Sequence, residues 1–142
     1  TKRFLLLLRD DDSYSDTWAT VGGRTEIGET VIESLGREIT EEIGFLPLVR
    51  KTIPIDLFVS NDGKFEFHTF ICLVDKEFIP TLNNEHKGYA WSGIDNFPKP
   101  LHPALHNALK NQELKTKIEN VLKLLEISET YKLIEVDRFI VR

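Results

Sequence analysis

Residues 22–45 read GGRTEIGETVIESLGREITEEIGF, and this stretch decides the fold. Thr30 followed three residues later by Glu33 is a capping box, and Gly44 is the residue type that commonly follows a helix, so residues 30–43 are expected to be helical. On a wheel of about 100° per residue, Val31, Ile32, Leu35, Ile39 and Ile43 fall into one apolar stripe. Glu38, Glu41 and Glu42 fall together as a carboxylate patch. Glu42 lands between Val31 and Leu35, at the edge of the buried stripe.

Most glutamate clusters are simply the solvated face of a surface helix. Here three like charges at i, i+3 and i+4 repel one another. They also stand late in the helix, where the macrodipole disfavours anions. A carboxylate beside a core is costly unless a positive charge meets it. A divalent cation answers all three difficulties, since Mg²⁺ takes oxygen ligands from one or two carboxylates together with substrate phosphates. The loop before the helix has the Gly-x4-Gly spacing of a phosphate loop, from Gly23 to Gly28, but Glu29 stands where that motif needs lysine. The sign is wrong for a P-loop. The two-glycine turn instead lets the backbone approach an ion, and Glu29 adds a carboxylate at the helix entrance.

Outward from this segment, Arg3 to Arg9 is an apolar run flanked by arginines and reads as a buried strand, and Trp18 to Val21 as a short one. Downstream, Ile53 to Val59 and Lys64 to Val74 are strand-like and joined at Asn61-Asp62-Gly63, a hairpin signal. Residues 75–86 read as a loop and Tyr89 to Trp91 as a short strand. A last helix runs over about residues 103–126, broken near Asn111. The β-branched and aromatic tail from Tyr131 to Val141 is expected to add an edge strand or a dimer contact. This order places the chain in the α/β (α+β) class, as a mixed sandwich.

The 142 residues fit one domain over 1–142, and a chain of this size buries roughly 68–70% of its unfolded surface. With 18 basic and 23 acidic residues the formal charge is −5, which argues against a broad basic surface for DNA or RNA. Setting Glu29, Glu38, Glu41 and Glu42 aside leaves 18 against 19, so the acidity is largely local. Cys72 is the single cysteine, which excludes an intramolecular disulfide and a cysteine zinc cluster and suits a cytoplasmic setting. No apolar run approaches a membrane span or signal sequence. The chain opens at Thr1 and contains no Met, which leaves room for upstream residues.

Gly23, Glu29, Arg37, Glu38, Ile39, Glu41, Glu42, Gly44 and Phe45 match G-x5-E-x7-R-E-U-x-E-E-x-G-U at every fixed position. From the chain's own composition, a chance match is on the order of one in a million. The segment resembles the Nudix box, which covers about a sixth of the chain. The resemblance implies the Nudix fold, a mixed β-sheet sandwiched between helices with a loop–helix–loop metal site for Mg²⁺ (or Mn²⁺). It implies hydrolysis of a nucleoside diphosphate linked to another group. Carried over by position, it makes Glu41 and Glu42 the main metal ligands, joined by the Gly22 carbonyl, and Glu38 a ligand or general base. Arg37 would orient the glutamates by pairing with Glu29, with Gly23 in support. Family members often add a carboxylate from a late loop, and Glu85 is the candidate. Gly36 is a mild departure, since small residues such as Ala are commoner there. Physically, cations neutralise a polyanionic pyrophosphate and activate water, and a glutamate within reach takes its proton.

A small nucleotide such as a nucleoside triphosphate is the expected substrate. The proline associated with ADP-ribose hydrolases is absent, with Ser60 and Asn61 in that region, as are the markers of dinucleoside polyphosphate and NADH hydrolases. These markers do not decide the sub-class: ADP-ribose, nucleotide sugars, dinucleoside polyphosphates and a catalytically idle, nucleotide-sensing domain are the alternatives, and idle domains usually lose glutamates that this chain keeps. A messenger-cap hydrolase predicts a basic groove that the charge does not encourage. The oligomeric state is expected to be monomer or homodimer. His102 and His106 have metal spacing, but Pro103 between them makes His102 a helix flank. Trp18 and Phe67 could stack on a base, and Arg24 and Lys64 could meet phosphates, although core packing and solvated charge account for them.

Overall fold

The computed structural model describes residues 2–23 and 25–141, with side chains through residue 127. The backbone falls into two compact units, residues 1–107 and 108–142.

In the first unit, β1 (Phe4–Arg9) is the middle strand of an antiparallel sheet, flanked by β2 (Trp18–Ala19) and β5 (His86–Ser92). A continuous apolar run suits a strand covered on both faces, and Leu6 and Leu7 are fully buried. Leu7 lies opposite Ala19 on one side and Tyr89 on the other. The β1–β5 register shifts between Leu8 and Arg9, which brings Arg9 opposite His86. β3 (Val49–Val59) and β4 (Glu66–Val74) form a separate two-stranded hairpin. Its turn is closed by the Asp62 carboxylate, which accepts from Ser60 Oγ at 2.6 Å and from the Lys64 N–H at 3.0 Å.

The fold is the mixed α+β one expected, with its strands arranged in two antiparallel sheets. Parallel pairing is limited, among the described residues, to a bridge between Trp18 and Leu101. The hairpin strand β3 starts four residues earlier than its apolar run, because Val49 and Lys51 join through a register shift; a second shift follows Pro54. A proline without an N–H is tolerated in such an edge strand.

Helix α1 (Val31–Ile43) follows the reading closely. Thr30 Oγ1 accepts from the Glu33 N–H at 3.1 Å, and the Glu33 carboxylate accepts from the Thr30 N–H at 3.2 Å. Gly44 ends the helix at φ 91°, and a Cβ there would lie 2.6 Å from the Thr81 Cβ. The Thr81 N–H donates to the Ile43 carbonyl at 2.7 Å, so the β4–β5 loop is tied to the helix end. Ile39 and Ile43 are buried, but Ile32 is 59% exposed and stands outside the apolar stripe. Phe78 joins Phe45 and Trp91 in edge contacts at 5.1 and 5.2 Å, and the Trp91 indole N–H donates to the Phe78 carbonyl at 3.0 Å. After a short 3₁₀ turn (Ile94–Asn96), α2 covers Pro103–Lys110.

The second unit carries α3 (Gln112–Val141), whose start is capped by the Asn111 side chain accepting from the Leu114 N–H at 3.2 Å. The break near Asn111 is where the sequence places it. The edge strand expected over residues 131–141 is corrected: the helix runs through them. No Gly or Pro follows Pro103 to stop a helix, and β-branched residues favour a strand only where a sheet receives them.

Candidate metal centre

The last turn of α1 faces the start of β5. Glu42 is 6% exposed, and its Oε2 accepts the Gly22 N–H at 2.9 Å. Its Oε1 lies 3.7 Å from Nε2 of His86, itself only 8% exposed. Glu85, exposed, completes a group in which one ligand atom each from Glu42, Glu85 and His86 lie within 4.8 Å of one another. Glu85 and His86, at the entrance to β5, are held beside β1, where the Asp10 N–H donates to the Glu85 carbonyl at 2.7 Å. The loop before it is fastened to α1, where the Asn83 amide donates to the Glu41 carbonyl at 3.0 Å.

The other glutamates of the helix gather around Arg37. Its guanidinium donates twice to Glu29, at 2.7 and 3.0 Å, once to Glu38 at 2.8 Å, and to Glu41 at 3.3 Å. The compensating charge for this part of the patch is thus internal. Glu38 and Glu41 do not join the tight group of Glu42, Glu85 and His86. Gly23 borders the patch: a Cβ placed there would lie 2.0 Å from the Glu38 carboxyl carbon. Gly22, whose carbonyl is expected from the resemblance to join the metal ligands, meets Glu42 through its N–H.

Burial sets the electrostatics. Loss of water pushes the Glu42 carboxyl up to about 8, against the pull of the Gly22 N–H and with help from the Glu38 and Glu85 charges. Glu38 is raised as well, first by burial, while Arg37 opposes the rise. Glu29 is held below the usual range by its hydrogen bonds from Arg37. Burial lowers His86 and so favours its neutral ring.

The donor set fits a divalent cation. Two carboxylates and an imidazole converge, and His86 Nδ1 is buried without a hydrogen-bond partner. Buried polar atoms are nearly always paired, and a cation nearby would favour the ionised Glu42 that burial disfavours.

The NUDIX domain family model matches residues 1–112. The chain belongs to the NUDIX domain family. Among its relatives, the chain is 33% identical over 106 residues to the dihydroneopterin triphosphate diphosphatase of Haemophilus influenzae, 64% of this chain and 65% of that protein. It is 30% identical over 73 residues to the ADP-ribose pyrophosphatase of Methanocaldococcus jannaschii, 51% of this chain and 43% of that protein. The chain therefore spans under two thirds of the length of either relative. The crystal structure of the MutT NUDIX hydrolase from Burkholderia pseudomallei shares the fold, with a TM-score of 0.58 at 23% identity over 78% of this chain and 88% of that one.

In this NUDIX domain the box supplies Glu42 and the Arg37 cluster, while the turn before β5 supplies Glu85 and the first residue of β5 is His86. His86 is the site residue that sequence reading missed. A histidine beside Glu85 carries no spacing signal, and its burial arises from pairing with β1. His102 is a helix flank as expected: its Nδ1 accepts the Ala104 N–H at 3.1 Å. Phe67 is 45% exposed, so core packing does not account for it. Arg24 lies outside the described residues. No helix among the described residues is long and apolar enough to cross a membrane.

Proposed function

We propose that this chain is a divalent-cation-dependent pyrophosphohydrolase acting on a small nucleotide-like triphosphate. The observation that carries the reading is the buried Glu42 carboxylate converging with Glu85 and His86 at the end of a complete Nudix box. Glu42 and Glu85 hold Mg²⁺ or Mn²⁺, with Glu38 and Glu41 available on the adjoining face and the Gly22 backbone beside them. The bound cation supplies charge neutralisation of the pyrophosphate and activation of water.

The chain's own residues do the rest. Arg37 fixes Glu29, Glu38 and Glu41 in one orientation, so that the carboxylates need not reorganise when substrate arrives. Glu38 takes the proton from the attacking water as the water oxygen bonds to phosphorus and the bridging P–O bond breaks. A carboxylate raised by burial is the better proton acceptor. The lone Cys72 suits work in a reducing cytoplasm, as a monomer or homodimer.

The triphosphate substrate is supported by the relative that covers more of this chain, which is named for a triphosphate. ADP-ribose is the second reading, favoured by the other relative's name. Phosphate release measured with and without Mg²⁺, over nucleoside triphosphates, dihydroneopterin triphosphate, ADP-ribose, nucleotide sugars and dinucleoside polyphosphates, tests both. Metal-dependent cleavage of the triphosphates supports the first. Preference for ADP-ribose replaces it with the second. Inactivity across the panel makes this an idle nucleotide-binding domain.

A further inference from the structure

We propose that His86 is a nitrogen ligand of the metal centre, and that its imidazole shifts the centre's preference from Mg²⁺ toward cations that accept nitrogen, such as Co²⁺ and Zn²⁺. The inference rests on the divalent-cation reading above and names the class of cation that the inner part of the site selects.

The ring's surroundings carry the argument. His86 is 8% exposed, and its Nδ1 is buried with no hydrogen-bond partner. Nε2 faces Glu42 Oε1 at 3.7 Å, beyond hydrogen-bond range. A histidine kept for packing normally pairs its buried nitrogen, and the Nδ1 of this one is unpaired while Nε2 is turned toward the carboxylate of Glu42. Its neighbours are instead two carboxylates that could share an ion with it.

The spacing is close to what an ion requires. Bonds of about 2.0–2.2 Å set two ligands of one cation about 3 to 4.4 Å apart. The candidate atoms of Glu42, Glu85 and His86 all lie within 4.8 Å of one another, and Glu42 Oε1 and His86 Nε2, at 3.7 Å, already stand inside that range. The frame is fixed beforehand. His86 opens β5 opposite Arg9, the Glu85 N–H donates to the Asn83 side chain at 2.9 Å, and that same side chain is bonded to the end of α1.

The two halves of the patch differ in donor chemistry. Glu38 and Glu41, around Arg37, offer oxygen alone, which suits Mg²⁺. The inner group adds one imidazole nitrogen, which suits Co²⁺ or Zn²⁺. Mg²⁺ holds oxygen and water and gains little from a nitrogen ligand, so removal of His86 should separate the cations.

The test is binding of Co²⁺ and Mg²⁺ alone, by calorimetry, to the full chain and to His86→Gln, with proton NMR of the Co²⁺-loaded protein. Expected are far-shifted imidazole resonances in the wild type, their loss in His86→Gln, and at least tenfold weaker Co²⁺ binding while Mg²⁺ affinity moves less than threefold. Equal weakening of both cations, or a wild-type Co²⁺ complex without shifted imidazole resonances, overturns the proposal. The wild-type spectrum decides the matter if the variant does not fold. A chain that binds neither cation sinks the divalent-cation reading along with this one. Metal-dependent phosphate release without the imidazole signature sinks only the role of His86.

Discussion

The backbone at Gly23 lies against the carboxylate of Glu38, so closely that a Cβ at Gly23 would fall 2.0 Å from the Glu38 carboxyl carbon and 2.2 Å from both oxygens. The glycine is needed for space rather than for backbone conformation. Gly23→Ala is expected to fold, because a flexible carboxylate can swing aside, but to displace Glu38 from its Arg37 contact. Turnover should fall at least tenfold with little change in melting temperature. Gly22→Ala is the control, since a Cβ there meets nothing within 4 Å and the N–H to Glu42 is kept. Steady-state phosphate release from the two variants checks the pair, and equal activities would refute the steric role.

Arg37 is a fork rather than a point charge. Its two-bond grip on Glu29 and its reach to Glu38 and Glu41 use the planar geometry of guanidinium. Arg37→Lys keeps the charge and loses the fork. It should lower kcat at least tenfold, and the melting temperature should drop by a smaller step than in Arg37→Ala. Thermal melts and kinetics on both variants test this, and full activity in Arg37→Lys would show that charge alone suffices.

Gly36 stands inside α1, where a Cβ would meet nothing within 4 Å. Glycine there costs about 1 kcal/mol of helix stability relative to alanine. Gly36→Ala should therefore stabilise the protein by about 0.5–1 kcal/mol, read from urea unfolding, with phosphate release unchanged. A destabilised variant would mean that the position is more crowded than its geometry indicates.

Sequence alone shows what is local. The capping box at Thr30 and Glu33, the stop at Gly44 and the Asp62-Gly63 turn act over a few residues, and each lies where it was read. The wheel even placed Glu42 at the edge of the core, where it is buried. What sequence could not show depends on distant pairing. β5 begins at His86 rather than Tyr89 because β1 receives it past a register shift, and that pairing, with the Asn83 tie to the end of α1, brings His86 and Glu85 to Glu42. The carboxylate patch reads as one on a wheel, yet Arg37, on the same helix, draws Glu38 and Glu41 to itself. The tail shows the converse limit: its composition suited a strand, and the backbone is helical.

Glu42 also makes stability depend on pH. In the folded, metal-free chain its carboxyl keeps a proton up to about pH 8, whereas its ordinary value is 4.5. Between those values the folded state binds more protons than the unfolded one, so stability falls as pH rises. The contribution is fully present below about 4.5 and is lost as pH passes through about 8. Glu42→Gln cannot ionise, and the wild type's stability relative to this variant should decline across the same window. A divalent cation favours the ionised carboxylate, so Mg²⁺ or Mn²⁺ should restore wild-type stability most at the alkaline end and do little for the variant. Melting temperatures of both proteins from pH 5 to 8.5, in chelator and in excess cation, make the comparison. A wild-type profile parallel to that of Glu42→Gln would show that Glu42 is already ionised at neutral pH and that its burial is compensated within the protein.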